Sequence, residues 1–230
     1  MSISRIRVVC ATRHDEEAFR TQSALGRSLA LYTMFDFLEV RLFPSNSAGL
    51  PAVYNIAIDE ARDASIALVF LHDDIHLTDY FWASQIVHGL ARFHAIGVAG
   101  TLRRLPGQAS WFYLDTQLTP EDSRFLSGVT GHGKGFPCQR VNVYGPPMQE
   151  VKLLDGAFIA CRSDVLLQHG IRFDERFDFH FYDLDFCRQL EARGLRMGTW
   201  SISVVHESGG SFRSERWRAA YQTYISKWGS

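Results

Sequence analysis

The first hundred residues alternate between short apolar runs and longer stretches in which apolar residues recur at helical spacing. The run "IRVVCAT" is rich in β-branched residues, which is typical of a strand, and a stretch with helical spacing follows it. The order of strand, helix, strand, helix and strand favours parallel strands joined by right-handed crossovers. Strands are predicted at 6–12, 37–43, 66–71 and 95–100, with helices within 13–32, 52–64 and 79–94.

The second half of the chain is irregular before its pattern resumes. Residues 101–150 concentrate Gly and Pro, which predicts loops and short strands, and the Gly-rich stretch 128–135 is either a mobile lid or an ordinary surface loop. Further elements are predicted at 153–162, at 183–193, at 197–205 and in a basic, aromatic C-terminal helix. We predict one domain over residues 1–230, divided into halves at 1–100 and 101–230.

Composition narrows the class of protein. A formal net charge of -1 gives no bulk attraction to phosphate polymers, so we expect no nucleic-acid partner. The four cysteines are scattered without a CxxC pair, which argues against structural zinc or a disulfide scaffold and fits a reducing cytoplasm. No apolar run approaches the roughly 20 residues of a spanning helix. We expect a soluble cytoplasmic protein, for which peripheral membrane contact stays open.

Polar residues follow each predicted strand at the point where it ends. Thr12 and Arg13 follow the first strand, Asn46 the second, "HDD" the third and His206 the last. In open parallel sheets ligands bind at this carboxyl edge, where helix N-termini also point their amides. Two carboxylates and histidines there can hold a hard divalent cation. The alternative is that strand ends carry Asp because they face solvent.

Five segments, in order, resemble a known family. They are "YNIAIDEA", "VFLHDDI", "LLDGAFIACR", "FDERFDFHFYDLDFCRQLEARG" and "VVHESGGS". Together they resemble the GT-A glycosyltransferases of the family 2 type, in particular their short bacterial glycosyltransferase-like branch, in which "HDD" replaces "DxD". The resemblance implies an α/β, Rossmann-like, doubly wound, mostly parallel sheet with helices on both faces. It also implies a nucleotide-binding first half and an acceptor-side second half.

The resemblance implies a metal and diphosphate site at "HDD". Asp74 would be a direct ligand of Mn²⁺ or Mg²⁺, Asp73 would contact ribose or metal, and His206 would supply a further metal contact. The first aspartate of DxD is His72 here, so this imidazole either takes part in coordination or packs beneath the site. His76, which lies beyond the motif, has only a surface role in this interpretation.

Asp183 falls where the family has its "ED" motif, which implies a general base for the acceptor hydroxyl. Tyr182 stands in place of the glutamate. Residues two apart on a helix point about 200° apart, so Asp183 and Asp185 cannot both face one site. Asp185 would then make structural or acceptor-side hydrogen bonds. The structural alternative for Asp183, a carboxylate that stabilises a helix N-terminus, is compatible with the catalytic role.

Donor contacts are implied at several further residues. Asp155 and Gly156 would lie under the donor sugar, although a simple turn is the alternative. The nucleobase and ribose would lie beside Thr12, Arg13, Asn46 and Asn55. No acidic residue stands at 45 or 46 to contact a uridine, so the nucleotide stays undetermined.

The expected activity is metal-dependent transfer of a sugar from a nucleoside diphosphate sugar to a hydroxyl acceptor, with inversion. The acceptor would be a sugar, a lipid-linked sugar or a protein, in bacterial polysaccharide or glycoconjugate biosynthesis. Three alternatives are a nucleotide-sugar hydrolase, a nucleotidyltransferase and a non-catalytic nucleotide-sugar-binding module. A nucleotidyltransferase would normally carry a Gly-rich, basic signature after the first strand, and "ATRHDEEAF" lacks its glycines.

Overall fold

Two β-sheets and seven α-helices make up the part of the chain that the computed structural model describes, residues 3–61 and 66–229. The strands are β1 (Arg5–Ala11), β2 (Leu38–Phe43), β3 (Ile66–Leu71), β4 (Ile75–Leu77), β5 (Ala95–Gly97), β6 (Ala99–Thr101), β7 (Leu126–His132), β8 (Arg140–Gly145), β9 (Glu150–Val151), β10 (Leu153–Leu154), β11 (Phe158–Arg162), β12 (Met197–Thr199) and β13 (Val204–His206). The helices are α1 (Glu16–Gln22), α2 (Ala24–Leu29), α3 (Leu50–Glu60), α4 (Trp82–Arg92), α5 (Ser163–Gln168), α6 (Tyr182–Ala192) and α7 (Glu215–Trp228).

The larger sheet has the strand order β2-β1-β3-β11-β5-β12-β9. Strand β1 pairs in parallel with β2 and β3, as the strand and helix alternation predicts. Strand β11 runs antiparallel between β3 and β5, so the sheet is not parallel throughout. Strand β11 is buried at all but its last residue, which suits its central position in the sheet. Its hydrophobic sequence does not by itself predict the direction in which it runs.

A second sheet, with the order β10-β6-β7-β13-β4, was not predicted. The single strand predicted at 95–100 is two strands, because β5 belongs to the larger sheet and β6 to the second. Within 101–150, β7 and β8 form an antiparallel pair where we predicted loops and short strands. The stretch 128–135 begins inside β7, most of which is buried, so neither a mobile lid nor a surface loop describes its first half.

Helices pack on both faces of the larger sheet, as predicted. Alternate residues of β3 separate the two layers: Leu68 and Phe70 face the core that includes α3, α5 and α6, while Val69 and Leu71 face the core that includes α1, α2 and α4. This alternation is what a strand buried on both sides requires. The end of the helix predicted at 52–64 lies outside the described residues.

The C-terminal helix α7 is held to α6 by a buried carboxylate. Asp185, whose side chain has no exposed surface, accepts hydrogen bonds from the Trp228 indole at 2.7 Å and from Gln189 at 2.8 Å. Its Oδ1 also lies 2.6 Å from Nζ of Lys227. Asp185 therefore has a structural role. No helix in the described part of the chain combines the length and apolar character needed to cross a membrane.

Replacing Asp185 by Ala should lower the free energy of unfolding by about 3 kcal/mol, because the ammonium of Lys227 and the indole of Trp228 lose a buried partner. Lys227 keeps Asp174 at 2.7 Å, which limits the loss. Chemical denaturation measures the change. The matched control is Asp59→Ala, which breaks an ion pair with Arg172 in which the Asp59 side chain is 64% exposed. That variant should lose less than about 1 kcal/mol, and equal losses in the two variants would contradict the buried role.

Candidate functional site

Three strand ends meet at the carboxyl edge of the larger sheet. Thr12 follows β1 and donates a hydrogen bond of 2.5 Å from its hydroxyl to Oδ2 of Asp73, which follows β3. The second sheet brings the end of β13 to the same place, because the backbone N–H of Glu207 donates to the carbonyl of Asp74 at 3.0 Å. These contacts confirm that residues distant in the sequence share one edge.

His72, Asp74 and His206 form the group that could hold a metal ion. One ligand atom from each lies within 4.8 Å of the others. Nε2 of His206 lies 3.3 Å from Oδ1 of Asp74 and 3.1 Å from the hydroxyl of Ser208. Oδ1 of Asp74 is buried and has no hydrogen-bond partner within the described residues. A buried carboxylate oxygen without a donor is a favourable place for a cation.

The residues of this group shift one another's pKa values. Burial acts to raise the pKa of Asp74, but the neighbouring His206, His72 and Ser208 outweigh it and hold that pKa well below its usual range. Burial acts to lower the pKa of His206, and the ion pair with Asp74 together with the charge of Asp155 raises it instead. The pKa of His72 is lowered, chiefly by burial. Asp74 is therefore an anion, and His72 is neutral near pH 7.

His72 lies within this group and not beneath it. Its Nε2 is 2.8 Å from the hydroxyl of Tyr182, the first residue of α6. Its ring stacks on Phe179 with ring centroids 5.5 Å apart. Tyr182 also donates from its hydroxyl to the carbonyl of Gly156 at 2.8 Å. The imidazole is thus fixed in orientation from two sides.

Asp183 faces the site from the first turn of α6. Its Oδ2 accepts a hydrogen bond of 3.2 Å from the backbone N–H of Gly156. Burial and the charge of Asp155 raise the pKa of Asp183 to about 7, against the backbone N–H groups of Leu184, Asp183 and Gly156, which lower it. Because Asp185 is engaged with α7, only Asp183 of the two carboxylates is directed to the site.

The turn at Asp155 and Gly156 packs against the start of α6. Oδ1 of Asp155 accepts from the N–H of Ala157 at 3.1 Å, so the turn that we had given as the alternative is present. A methyl group on Gly156 would lie 2.7 Å from the Tyr182 hydroxyl and 2.8 Å from Cβ of Asp183. Glycine is therefore required here because α6 approaches the turn closely.

The other three residues expected beside the nucleotide lie in three different environments. Asn46 closes its own loop, since its side chain donates to the carbonyl of Ala48 at 2.8 Å. Arg13 is exposed, and its side chain has no polar partner in the described part of the chain. Asn55 is directed elsewhere, because its amide bonds the backbone of Phe173 in both directions, at 2.9 Å each. The role of Asn55 beside a nucleotide stays a prediction, and its amide is already engaged by this backbone.

Two further histidines lie close to the site, and the sequence did not predict their positions. His132, which we did not single out, pairs in register with His206 on adjacent parallel strands, with ring centroids 6.1 Å apart. Its Nε2 lies 3.3 Å from the hydroxyl of Tyr144. The alternating pattern of "LSGVTGH" was the signal that could have placed it. His76 was expected at the surface, but it is only 9% exposed and lies 3.0 Å from Oε1 of Glu207.

Several solved structures are similar to this chain. GalNAc-T7 with UDP, GalNAc and Mn²⁺ is 10% identical with a TM-score of 0.55, over 98% of this chain and 48% of that one. TarS of S. aureus is 13% identical with a TM-score of 0.47, over 97% and 39%. A197 from STIV is 12% identical with a TM-score of 0.47, over 92% and 98%. The chain thus spans less than half the length of the TarS and GalNAc-T7 chains.

The similarity to GalNAc-T7 shows the fold, which is GT-A as predicted. No curated protein sequence matches the chain significantly. A family model described as "Glycosyltransferase like family" matches residues 35–225. Since this match covers most of the sequence, the chain belongs to the glycosyltransferase-like family.

Proposed function

We propose that this chain transfers a sugar from a nucleoside diphosphate sugar to an acceptor hydroxyl, with Asp183 as general base and with inversion. One observation carries the proposal. A carboxylate with a pKa of about 7 lies beside the turn at Asp155 and Gly156, and Tyr182 links that turn to the group formed by His72, Asp74 and His206. Two carboxylates with opposite pKa shifts in one site favour two different roles.

A divalent cation fits the group formed by His72, Asp74 and His206. Oδ1 of Asp74, which is buried and makes no hydrogen bond within the described residues, supports this role, and so does the neutral state of His72. Two imidazoles and one carboxylate suit Mn²⁺ better than Mg²⁺, which prefers oxygen ligands. The GalNAc-T7 structure, similar in fold, contains UDP and Mn²⁺. When bound, such an ion neutralises the charge that develops on the leaving diphosphate.

The donor would lie along the edge from β1 to the turn at Asp155. Asp73 has one oxygen engaged by Thr12, and its second oxygen has no hydrogen-bond partner in the described ranges, so it can accept from a ribose hydroxyl. Arg13 is exposed beside Thr12 and can pair with phosphate or stack on a base. Asn46 would contribute by holding its loop in the shape that borders the nucleotide, through its hydrogen bond to Ala48. In this proposal residues 1–100 bind the nucleotide, and 101–230 hold the sugar and acceptor.

Asp183 would take the proton from the acceptor hydroxyl as the sugar is transferred. A base is most effective when its pKa lies near the working pH, which a pKa of about 7 provides. The hydrogen bond from Gly156 fixes one carboxylate oxygen and leaves the other for the acceptor. The acceptor itself is a sugar, a lipid-linked sugar or a protein hydroxyl in this proposal.

Metal binding is tested by calorimetry with Mn²⁺ and a panel of nucleoside diphosphates. Asp74→Asn should weaken Mn²⁺ binding by more than about 10-fold, because the ion loses its only anionic ligand in the group. The matched control is Asp79→Asn, since Asp79 lies a few residues beyond and accepts from the N–H of Phe81 at 2.7 Å instead. Absence of metal-dependent nucleotide binding in the wild-type protein would contradict the donor site.

The base is tested with Asp183→Asn. Turnover with a hydroxyl acceptor should fall about 10²- to 10⁴-fold while nucleotide binding is unchanged. In the wild-type protein, kcat/KM should rise with pH through a midpoint near the Asp183 pKa of about 7, because only the ionised carboxylate accepts a proton. Intact turnover in the variant would refute the assignment. Donor hydrolysis as the sole activity, with every acceptor tried, would favour a nucleotide-sugar hydrolase.

The same variant has a readout that needs no substrate. The pKa of Asp183 in the folded protein, about 7, lies above the value of about 4 in an unfolded chain. The folded state therefore binds more protons between those values, and this residue's contribution to stability falls as pH rises through them. Asp183→Asn should unfold at a higher denaturant concentration than the wild type above pH 7. This advantage should vanish near pH 4.

A further inference from the structure

Tyr182 joins the proposed metal group to the turn beneath the proposed donor sugar. Its side chain is almost fully buried, and its hydroxyl lies 2.8 Å from Nε2 of His72 and 2.8 Å from the carbonyl oxygen of Gly156. The hydroxyl therefore contacts both the metal group and the turn. It also belongs to the residue immediately before Asp183.

Counting hydrogens fixes the direction of both hydrogen bonds. A phenol has one hydrogen to donate, and a carbonyl oxygen can only accept. The Gly156 carbonyl receives no other hydrogen bond within the described residues, so the phenol hydrogen is directed to it. The phenol oxygen must then accept a hydrogen from Nε2 of His72. In the neutral imidazole, the lone pair is consequently on Nδ1.

We infer that Tyr182 is a positioning residue that holds His72 as the Nε2–H tautomer, which leaves Nδ1 as the one ring nitrogen able to bind a metal ion. This inference rests on the proposed function, since it gives His72 the role of a ligand. Imidazole ligands commonly have their second nitrogen oriented by a hydrogen bond of this kind.

The surrounding contacts leave the imidazole little freedom to turn over. Its ring stacks on Phe179, and its backbone N–H donates to the carbonyl of Ala157 at 3.1 Å. The turn at Gly156 and Ala157 therefore fixes the backbone of His72 directly and its ring through Tyr182. A ring flip would place the carbon Cε1 against the phenol oxygen and break the hydrogen bond.

The inference explains two departures from the resembled family together. His72 stands in place of an aspartate and Tyr182 in place of a glutamate. An ionised glutamate at 182 could not donate to the Gly156 carbonyl, whereas a phenol donates to the carbonyl and accepts from the imidazole at once. The histidine in the motif and the tyrosine before Asp183 thus depend on each other, because one hydrogen bond joins them.

The direct test is nitrogen NMR of histidine-labelled protein without metal, with the His72 signal assigned by its loss in His72→Gln. The wild type should show the Nε2–H tautomer. Tyr182→Phe keeps the buried ring and removes the hydroxyl, and it should give a mixture of tautomers. Tyr32→Phe is the matched control, because Tyr32 is also buried and its hydroxyl donates to the carbonyl of Asp79 at 3.3 Å, not to His72 or Gly156. Its spectrum should match the wild type.

Calorimetry with Mn²⁺ alone gives the second readout. Tyr182→Phe should bind Mn²⁺ about 10- to 100-fold more weakly than the wild type, and Tyr32→Phe should bind it equally. An Nδ1–H tautomer in the wild type, or a Tyr182→Phe variant with unchanged tautomer and unchanged affinity, would overturn the role of Tyr182. An Nε2–H tautomer in a wild-type protein that binds no Mn²⁺ would instead overturn the proposed metal site, and with it the role of Tyr182 toward metal.

Discussion

The site is organised around one partly buried carboxylate, which needs a positive charge close to it. Asp74 lies three residues beyond the end of the fully buried strand β3, and its Oδ1 makes no hydrogen bond within the described residues. Such a group is costly unless positive charge is supplied close by. His206 supplies it at 3.3 Å, and that histidine reaches the site only because β13 runs in the second sheet.

The second sheet therefore has a functional consequence. Strand β13 pairs with β4 directly after the motif at the end of β3, and with β7, which brings His132 beside His206. On the opposite side, α6 brings Tyr182 and Asp183 against the turn at Gly156. Neighbouring cations and burial then shift the pKa values of Asp74 and Asp183 in opposite directions. In the proposed function, this separation makes Asp74 the anion that binds the cation and Asp183 the base that titrates near neutral pH.

Much of the fold followed from local patterns in the sequence. Buried strands such as β3 are continuous apolar runs, and the polar residues that end them mark the ligand-binding edge. The family resemblance added Asp183, which spacing alone could not have separated from Asp185. What decided between those two carboxylates was α7, whose Lys227 and Trp228 occupy Asp185.

Other features depend on contacts between distant segments, which no local pattern reports. Strand β11 is antiparallel because it pairs with β3 and β5, which lie far from it in the sequence. His132 lies beside His206 because β7 and β13 pair in that register. The family resemblance implied that Asn55 lies beside the nucleotide, and in the fold its side-chain amide donates to and accepts from the backbone of Phe173. Local spacing places a residue on an element, and tertiary packing decides where its side chain is engaged.

The proposed site holds one divalent cation just beyond the ends of β3 and β13. A crystal structure of the protein with Mn²⁺ and a nucleoside diphosphate, recorded with anomalous scattering from manganese, is the decisive measurement. We expect one anomalous peak within coordination distance of Asp74 Oδ1, a His206 ring nitrogen and Nδ1 of His72, next to the diphosphate. Bound nucleotide without such a peak, or a peak away from Asp74, would contradict it.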